Sequence, residues 1–216
     1  LAGAGGDPRN TDLDHFHASA RIERRALTGH FAKVRGLSDC CRNDGKVELH
    51  HWHRDQPAAA GASSELVVVK RILRTRVYGN KGAEANERAV HRARGQRDSE
   101  DCLTEIGVYC LLALQRDLPQ YLLKMHMAFE AASDVWLVLE HADGGDLFGV
   151  MQEAENRQGV PARRLREWLW QLLQAVAYLH RLRIGHRDVS MENVLLRGGV
   201  VRLMDFGQAG RTHAAS

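Results

Sequence analysis

Residues 186–193 read HRDVSMEN, and residues 205–207 read DFG, twelve positions after Asn193. Transfer of a phosphoryl group needs a residue that orients the attacking hydroxyl and oxygen ligands for magnesium between the phosphates. Asp188 suits the first task, while Asn193 and Asp205 offer the hard oxygen atoms that magnesium prefers. A short hairpin between Asn193 and Asp205 would return both magnesium ligands to one end of a cleft. The two stretches therefore predict a phosphoryl-transfer site.

Composition and periodicity predict a strand-rich first half followed by helices. Residues 65–73 (ELVVVKRIL) and 134–141 (DVWLVLEH) are typical of buried strands. Residues 105–114 and 163–182 have helical spacing, and a hairpin joined by Gly198-Gly199 follows. This order indicates two lobes with a cleft between them. The inner side of the second helix is expected to carry Leu165, Leu169, Leu172, Leu173, Val176 and Leu179.

Together, HRDVSMEN and DFG resemble the catalytic loop and the magnesium loop of the protein kinase family, whose patterns are H-R-D-x-x-x-x-N and D-F-G. The resemblance implies an α+β fold, bilobal and protein-kinase-like. Its N-terminal lobe would be an antiparallel β-sheet with one helix. The chain would then continue into the beginning of a mainly helical C-terminal lobe.

The same resemblance divides the chain into parts. Residues 1–23 lack periodicity and are expected to form a disordered lead. Residues 24–142 would hold the N-terminal lobe and the hinge, with insertions at about 40–64 and 79–99. Residues 143–216 would be an incomplete C-terminal lobe with the catalytic and magnesium loops. The chain is accordingly expected to be a fragment of a catalytic domain, truncated after the DFG motif and inactive by itself.

Val67-Val68-Val69-Lys70 is similar to the V-A-I-K signature on the third strand of this family, which implies that Lys70 contacts the α- and β-phosphates of ATP. A lysine in that role requires a glutamate from the following helix. Glu105 is the candidate, and Glu100 is the alternative. The catalytic residues implied by the resemblance are Asp188, Lys70, Asn193 and Glu105.

Two further similarities imply a nucleotide site. Residues 28–34 (TGHFAKV) match the later part of the glycine-rich pattern G-x-G-x-x-G-x-V, but Gly29 is the only glycine of the three that is present. Residues 136–148 (WLVLEHADGGDLF) resemble the hinge, where Leu139 would be the gatekeeper and adenine would bind backbone groups. The nucleotide-binding residues implied are Gly29, Val34, Val68, Lys70, Glu140, Ala142, Asp146 and Leu195, and the metal ligands implied are Asn193 and Asp205.

The catalytic loop departs from the family pattern at two positions. Ser190 stands where most Ser/Thr kinases carry a lysine that meets the γ-phosphate, and Met191 replaces a frequent proline. The Ala/Arg pattern of tyrosine kinases is also absent, so the resemblance favours transfer to Ser or Thr hydroxyls of proteins. Two alternatives stay open. One is a pseudokinase that binds nucleotide as a scaffold, and the other is a kinase-like enzyme acting on a small molecule.

Composition argues against several other classes. The 216 residues carry a net charge of +3, too small to indicate a nucleic-acid or membrane-surface partner. No apolar run reaches the roughly 18 residues of a transmembrane helix. The four cysteines lack C-x-x-C spacing and form no familiar zinc pattern with residues 50–53, so an intracellular, reducing compartment such as the cytoplasm is expected. The expected partners are ATP, Mg2+ and a protein substrate, without nucleic acid or membrane; the oligomeric state is not indicated.

Overall fold

The computed structural model describes residues 15–24, 27–40, 45–54, 63–78, 101–155 and 159–212. It divides into two compact units. The sheet unit comprises Arg21–Leu103 and Met125–His141. The hairpin unit comprises Leu1–Ala20, Thr104–Lys124 and Ala142–Ser216.

The sheet unit contains the strands β1 (Phe31–Cys40), β2 (Gly45–Trp52), β3 (Glu65–Leu73), β4 (Met125–Ala131) and β5 (Asp134–Glu140). They form one antiparallel sheet in the order β1-β2-β3-β5-β4. A 3-10 turn at Thr28–His30 leads into β1, and the short helix α1 (Arg74–Tyr78) follows β3. The antiparallel sheet and the buried strands at residues 65–73 and 134–140 agree with the sequence prediction.

The two faces of this sheet differ in character. Residues directly opposite each other on antiparallel strands share a face, so the register assigns the side chains. One face carries the core, made of Phe31, Trp52, Val67, Val69, Phe129, Ala131 and Val138. The opposite face, which we call the lysine face, carries Val47, Leu49, Val68, Lys70, Leu137 and Leu139.

The strand β2 lies where the sequence predicts a loop insertion, so the insertion proposed over residues 40–64 is wrong for Gly45–Trp52. Valine and leucine at positions 47 and 49 alternate with Glu48 and His50, which are polar residues on a buried face. A period-2 pattern is hard to recognise when the buried positions are a carboxylate and an imidazole.

A charge network makes this polar burial possible. Glu48 is 3% exposed and accepts hydrogen bonds from Lys33 Nζ and from His50 Nε2, the latter at 3.2 Å. The guanidinium of Arg71 lies 3.7 Å from the same carboxylate and donates to Asp134 at 2.5 Å. Burial acts to raise the pKa of Glu48, but these hydrogen bonds and positive charges outweigh it, so the pKa lies below its ordinary value.

Besides the turn at residues 15–19, the described part of the hairpin unit includes three longer helices and two small sheets. The helices are α2 (Cys102–Ala113), of which Thr104 onward belongs to this unit, α3 (Leu147–Glu155) and α4 (Ala162–Arg181). The strands β6 (Ile184–Gly185) and β9 (Gly210–Arg211) pair with each other, as do β7 (Val194–Arg197) and β8 (Val200–Leu203).

Helix α4 supports the β7–β8 hairpin through one of its faces. Its buried residues are Trp168, Ala175, Tyr178 and Leu179, whereas Leu169 and Leu173 are 57% and 56% exposed. The Trp168 indole donates to the carbonyl of Gly199 at 3.0 Å, and Gln171 Oε1 accepts from the amide of Val201 at 2.9 Å. Leu179, the last leucine of the predicted inner side, is fully buried together with Ala175.

The expected disordered lead is also only partly retained. Residues 1–14 lie outside the described residues, but residues 15–19 form a helical turn in which Phe16 is fully buried. Glu23 forms a β-bridge with Phe129 through two backbone hydrogen bonds of the sheet unit. The prediction is therefore wrong for residues 15–23. The second predicted insertion, at residues 79–99, lies outside the described residues.

Candidate active site

The predicted hairpin between Asn193 and the DFG motif is confirmed. Gly198 and Gly199 both have positive φ, 55° and 78°, as a tight two-residue hairpin turn requires. Strand β7 begins immediately after Asn193, and the backbone amide of Met204 donates to the carbonyl of Asn193 at 2.9 Å. The hairpin thus brings Asn193 and Asp205, the two predicted magnesium ligands, to the same end.

The loop before the hairpin is closed by the side chain of Asn193. Its Nδ2 donates to the backbone carbonyl of Asp188 at 2.9 Å and to the carboxylate Oδ2 of Asp188 at 3.1 Å. Because both bonds use the amide nitrogen, Oδ1 of Asn193 remains the atom available as a metal ligand. The loop therefore fixes the predicted base and a predicted ligand together.

His186 ties this loop to the DFG segment. It is 3% exposed, and its Nε2–H donates to the carbonyl of Met204 at 2.9 Å, while its Nδ1 faces the amide of Asp188 at 3.3 Å. These partners assign the neutral tautomer with the proton on Nε2. Burial lowers the pKa of His186 below its ordinary 6.5, against the opposing hydrogen bond to Met204. The backbone of Met204, which directly precedes Asp205, consequently contacts the catalytic loop at both of its ends.

Two residues of the site adopt left-handed backbone conformations. Arg187 has φ 67° and Asp205 has φ 63°, values that non-glycine residues rarely adopt and that cluster at functional sites. The guanidinium of Arg187 occupies the space where a side chain on Gly210 would lie. Arg187 thereby packs across the β6–β9 pair, next to the segment that follows Asp205-Phe206-Gly207.

Phe206 is fully buried between two aromatic rings. Tyr109 on α2 packs edge-on against it with ring centroids 4.9 Å apart, and the His186 imidazole lies at 5.2 Å. The importance of Tyr109 was not predicted from the sequence. The available signal was its spacing, since Tyr109 lies four residues after Glu105 and thus shares its helix face.

The donor set at the hairpin end fits magnesium better than a closed metal cage. Asp205 Oδ1 accepts from the amide of Gly207 at 3.2 Å, which leaves its other oxygen for a ligand. Among the residues that the structure describes, no group of three or more His, Cys, Asp or Glu side chains could hold a metal ion. Magnesium commonly takes only one or two protein carboxylates and completes its shell with water and phosphate oxygens, and the Asp205 and Asn193 pair matches that habit.

Two predicted nucleotide residues of the hairpin unit meet each other. Asp146 forms an antiparallel bridge with Leu195 on β7. The Asp146 carboxylate accepts from the amide of Gly149 at 2.7 Å and so caps the first turn of α3. One carboxylate oxygen has a structural role, and the predicted contact with the ribose is left to the other.

In the sheet unit, Lys70 lies at the centre of the lysine face. It is 8% exposed and pairs in register with Val47 on one side and Leu137 on the other. Val68, two residues earlier, is flanked in the same way by Leu49 and Leu139. The face therefore places the ammonium group of Lys70 beside an apolar surface, and Glu140 ends the strand that carries Leu139.

The predicted glycine-rich loop does not lie where a loop joins two strands. Gly29 is in the 3-10 turn before β1, and Val34 lies at an irregularity of β1 with 47% exposure. The turn between β1 and β2 falls at residues 41–44, outside the described residues. The sequence Gly45-Lys46-Val47 follows it and repeats the G-x-V end of the pattern, with Val47 on the lysine face.

The partnership of Lys70 and Glu105 stays a prediction. Lys70 belongs to the sheet unit and Glu105 to the hairpin unit. Glu105 on α2 is 3% exposed and Lys70 is 8% exposed, so both charged side chains are buried. Charged side chains are rarely buried unless they are paired. Glu100, the alternative, lies outside the described residues.

Within the described residues, every helix is too short or too polar to span a membrane.

Comparison with known proteins identifies the family. The sequence model of the protein kinase domain matches residues 60–216, which include the lysine strand, the catalytic loop and the DFG segment. The chain therefore belongs to the protein kinase domain family. The match begins after β2, so the first two strands are outside the matched residues.

Individual relatives are similar over parts of the chain. Human NUAK family SNF1-like kinase 2 is 35% identical over 94 residues, covering 43% of this chain and 14% of the relative. Mouse myotonin-protein kinase is 32% identical over 152 residues, covering 68% and 22%. Serine/threonine-protein kinase cst-1 of Caenorhabditis elegans is 27% identical over 135 residues, covering 57% and 26%. The matched parts thus span at most about a quarter of these relatives.

Proposed function

We propose that the protein containing this chain is an ATP- and magnesium-dependent protein kinase that phosphorylates Ser or Thr. The observation that carries the proposal is the double contact of the Met204 backbone with Asn193 and His186, which joins the catalytic loop to the DFG segment. The acceptor class is supported by the name of one matched relative, the serine/threonine-protein kinase of C. elegans.

Each residue has a role in the proposed reaction. Asp188 orients the acceptor hydroxyl and takes its proton while the oxygen attacks the γ-phosphorus. The bond from that phosphorus to the bridging oxygen of ADP breaks, and ADP leaves. Asn193 and Asp205 would hold Mg2+, which neutralises charge on the phosphate oxygens when bound. Lys70 contacts the α- and β-phosphates, and Glu105 is its proposed partner.

The remaining nucleotide-binding residues are proposed for each unit separately. Val68, Leu139 and Val47 of the lysine face suit the adenine ring, and the backbone of Glu140 and Ala142 suits its polar edge. Val47 replaces Val34 as the proposed valine of the glycine-rich pattern, because Val47 shares a face with Lys70. Asp146 and Leu195 are proposed on the hairpin side.

The test is phosphate transfer from radiolabelled ATP by the parent protein, offered to both protein and small-molecule acceptors. We expect labelled phosphoserine or phosphothreonine, and a loss of about a hundredfold or more in Asp188→Asn. Label on small molecules alone would favour the kinase-like alternative. Magnesium-ATP binding without transfer would favour a pseudokinase. This outcome is worth measuring because Ser190 stands where most Ser/Thr kinases carry a lysine.

A further inference from the structure

A short segment at the start of the described chain packs against helix α2 at a glycine. Phe16, in the helical turn at residues 15–19, is fully buried. A Cβ atom built on Gly107 would lie 2.6 Å from the carbonyl carbon of Phe16 and 3.1 Å from its Cα. Backbone atoms of Phe16 therefore occupy the space that any other residue at position 107 would fill.

A second contact lies on the same side of the helix. The Thr104 hydroxyl and the Nε2 of His17 are 3.4 Å apart. Thr104 and Gly107 are three residues apart, which places them on one helix face. The amide of Ala20 donates to the carbonyl of Phe16 at 3.1 Å, so the turn is closed where it meets the helix. Residues 15–20, here called the N-terminal clamp, thus hold α2 at two positions.

Helix propensity does not explain the glycine at position 107 of α2. Glycine in a helix interior is less favourable than alanine, because it loses more backbone entropy on folding. Gly107 lies in the middle of Cys102–Ala113, and residues 104–109 are all buried. Close approach of the clamp supplies the packing reason for a glycine at this position.

The neighbouring face of α2 leads to the predicted catalytic groups. Glu105 and Tyr109 are four residues apart and lie on one face. Tyr109 packs against Phe206 at 4.9 Å, and Phe206 directly follows Asp205. A displacement of α2 at Gly107 therefore reaches the proposed magnesium ligand through two side chains.

We propose that the N-terminal clamp positions helix α2 and, through Tyr109 and Phe206, holds Asp205 in its left-handed conformation. Phe16 and Gly107 are positioning residues, since neither touches the reacting groups. The effect on catalysis rests on the proposed kinase function, whereas the effect on α2 does not.

The experiment compares Phe16→Ala, Gly107→Ala and the double variant in the parent protein, with Ala18→Ser as an exposed control from the same turn. Hydrogen exchange is measured at residues 15–20 and 102–113, together with kcat and the KM for ATP. We expect faster exchange in both segments and a fall in kcat of about tenfold to a hundredfold, with a smaller change in KM. Phe16→Leu should restore most of both signals.

The double variant separates the clamp from ordinary destabilisation. Once the clamp is released, alanine at position 107 meets no backbone and favours the helix, so the double variant should be no worse than Gly107→Ala alone. Losses that multiply in the double variant, or unchanged exchange at residues 15–20 in Gly107→Ala, would overturn the proposal. If Phe16→Ala does not fold, Gly107→Ala and Phe16→Leu still decide. If the parent shows no phosphotransfer, the kinase proposal fails while the exchange data still decide the clamp.

Discussion

The hairpins β1–β2 and β7–β8 differ in how readily the sequence reveals their proposed roles in phosphate binding. Strands β7 and β8 pair without irregularity across Gly198-Gly199 and present Asn193 and Asp205 at one end. Strands β1 and β2 pair with two register irregularities and lie before the residues that match the family. In the proposed site, the β7–β8 hairpin acts through side chains that must be Asp or Asn. A phosphate-binding loop acts through backbone N–H groups, which many sequences supply.

The largest expected effect is on the side-chain hairpin. Asp205→Ala removes a proposed magnesium ligand and should lower phosphotransfer about a thousandfold or more. Asp205→Asn is the matched variant, because it retains an oxygen that can accept from the Gly207 amide but loses the charge. We expect both to be inactive while thermal unfolding of Asp205→Asn resembles the parent. Full activity in purified Asp205→Ala protein would refute the assignment.

A second test breaks the support of the same hairpin. Trp168 is 7% exposed and donates to Gly199, so Trp168→Ala should cost about 3–5 kcal/mol of unfolding free energy. Trp170, two residues later on α4, is 55% exposed, and Trp170→Ala should cost under about 1 kcal/mol. Denaturant unfolding of the parent protein measures both. Equal losses would contradict the assignment of the contact face of α4.

A third test adds the positive charge that the catalytic loop lacks. If position 190 points at the γ-phosphate, Ser190→Lys supplies a charge-assisted contact of about 1–3 kcal/mol, which corresponds to a rise in turnover of about fivefold to 150-fold. The pKa of the exposed Glu192 carboxyl lies below its ordinary value because its own backbone amide and the Ser190 hydroxyl hydrogen-bond it. Ser190→Met controls for length, and Ser190→Lys with Glu192→Gln prevents the new lysine from pairing locally. Unchanged turnover in both lysine variants would show that position 190 does not point at the γ-phosphate.

The smallest expected effect concerns the support of the β1–β2 hairpin. His50 hydrogen-bonds Glu48 and packs against the rings of Phe31 and Trp136. Burial, with the nearby charges of Lys33 and Arg71, lowers the pKa of His50 below the ordinary 6.5, against the opposing effect of Glu48. A histidine whose folded pKa is depressed gives stability that is present above pH 6.5 and is lost as the pH falls through the folded pKa.

Unfolding free energies between about pH 7.5 and pH 5 check this sign. His50→Gln should flatten the acid decline, whereas His51→Gln, an exposed neighbour on the same strand, should leave it unchanged. His186 adds a decline of the same sign to every variant, so the difference between the two variants isolates His50. Identical pH profiles in His50→Gln and in the parent would exclude a depressed pKa at this position.

The sequence was sufficient where a pattern is local. The strands at residues 65–73 and 134–140, the glycine turn and the order of Asp188, Asn193 and Asp205 were all predicted, because each depends on neighbours within a few residues. The predicted positions of Gly29 and Val34 in a glycine-rich loop did not fit, because a single glycine with a valine is common in any turn and strand.

The tertiary structure decided what depends on distant pairs. Strand β2 became recognisable only when Lys33 and Arg71, from the strands on either side, balanced the buried Glu48. The face of α4 that packs on the β7–β8 hairpin depends on the distant residues Gly199 and Val201. The clamp depends on Phe16 meeting Gly107, 91 positions later in the sequence. Side-chain chemistry and local turns are set by the sequence alone, whereas burial and coupling require the chain to bring remote residues together, since only packing decides which polar groups find partners.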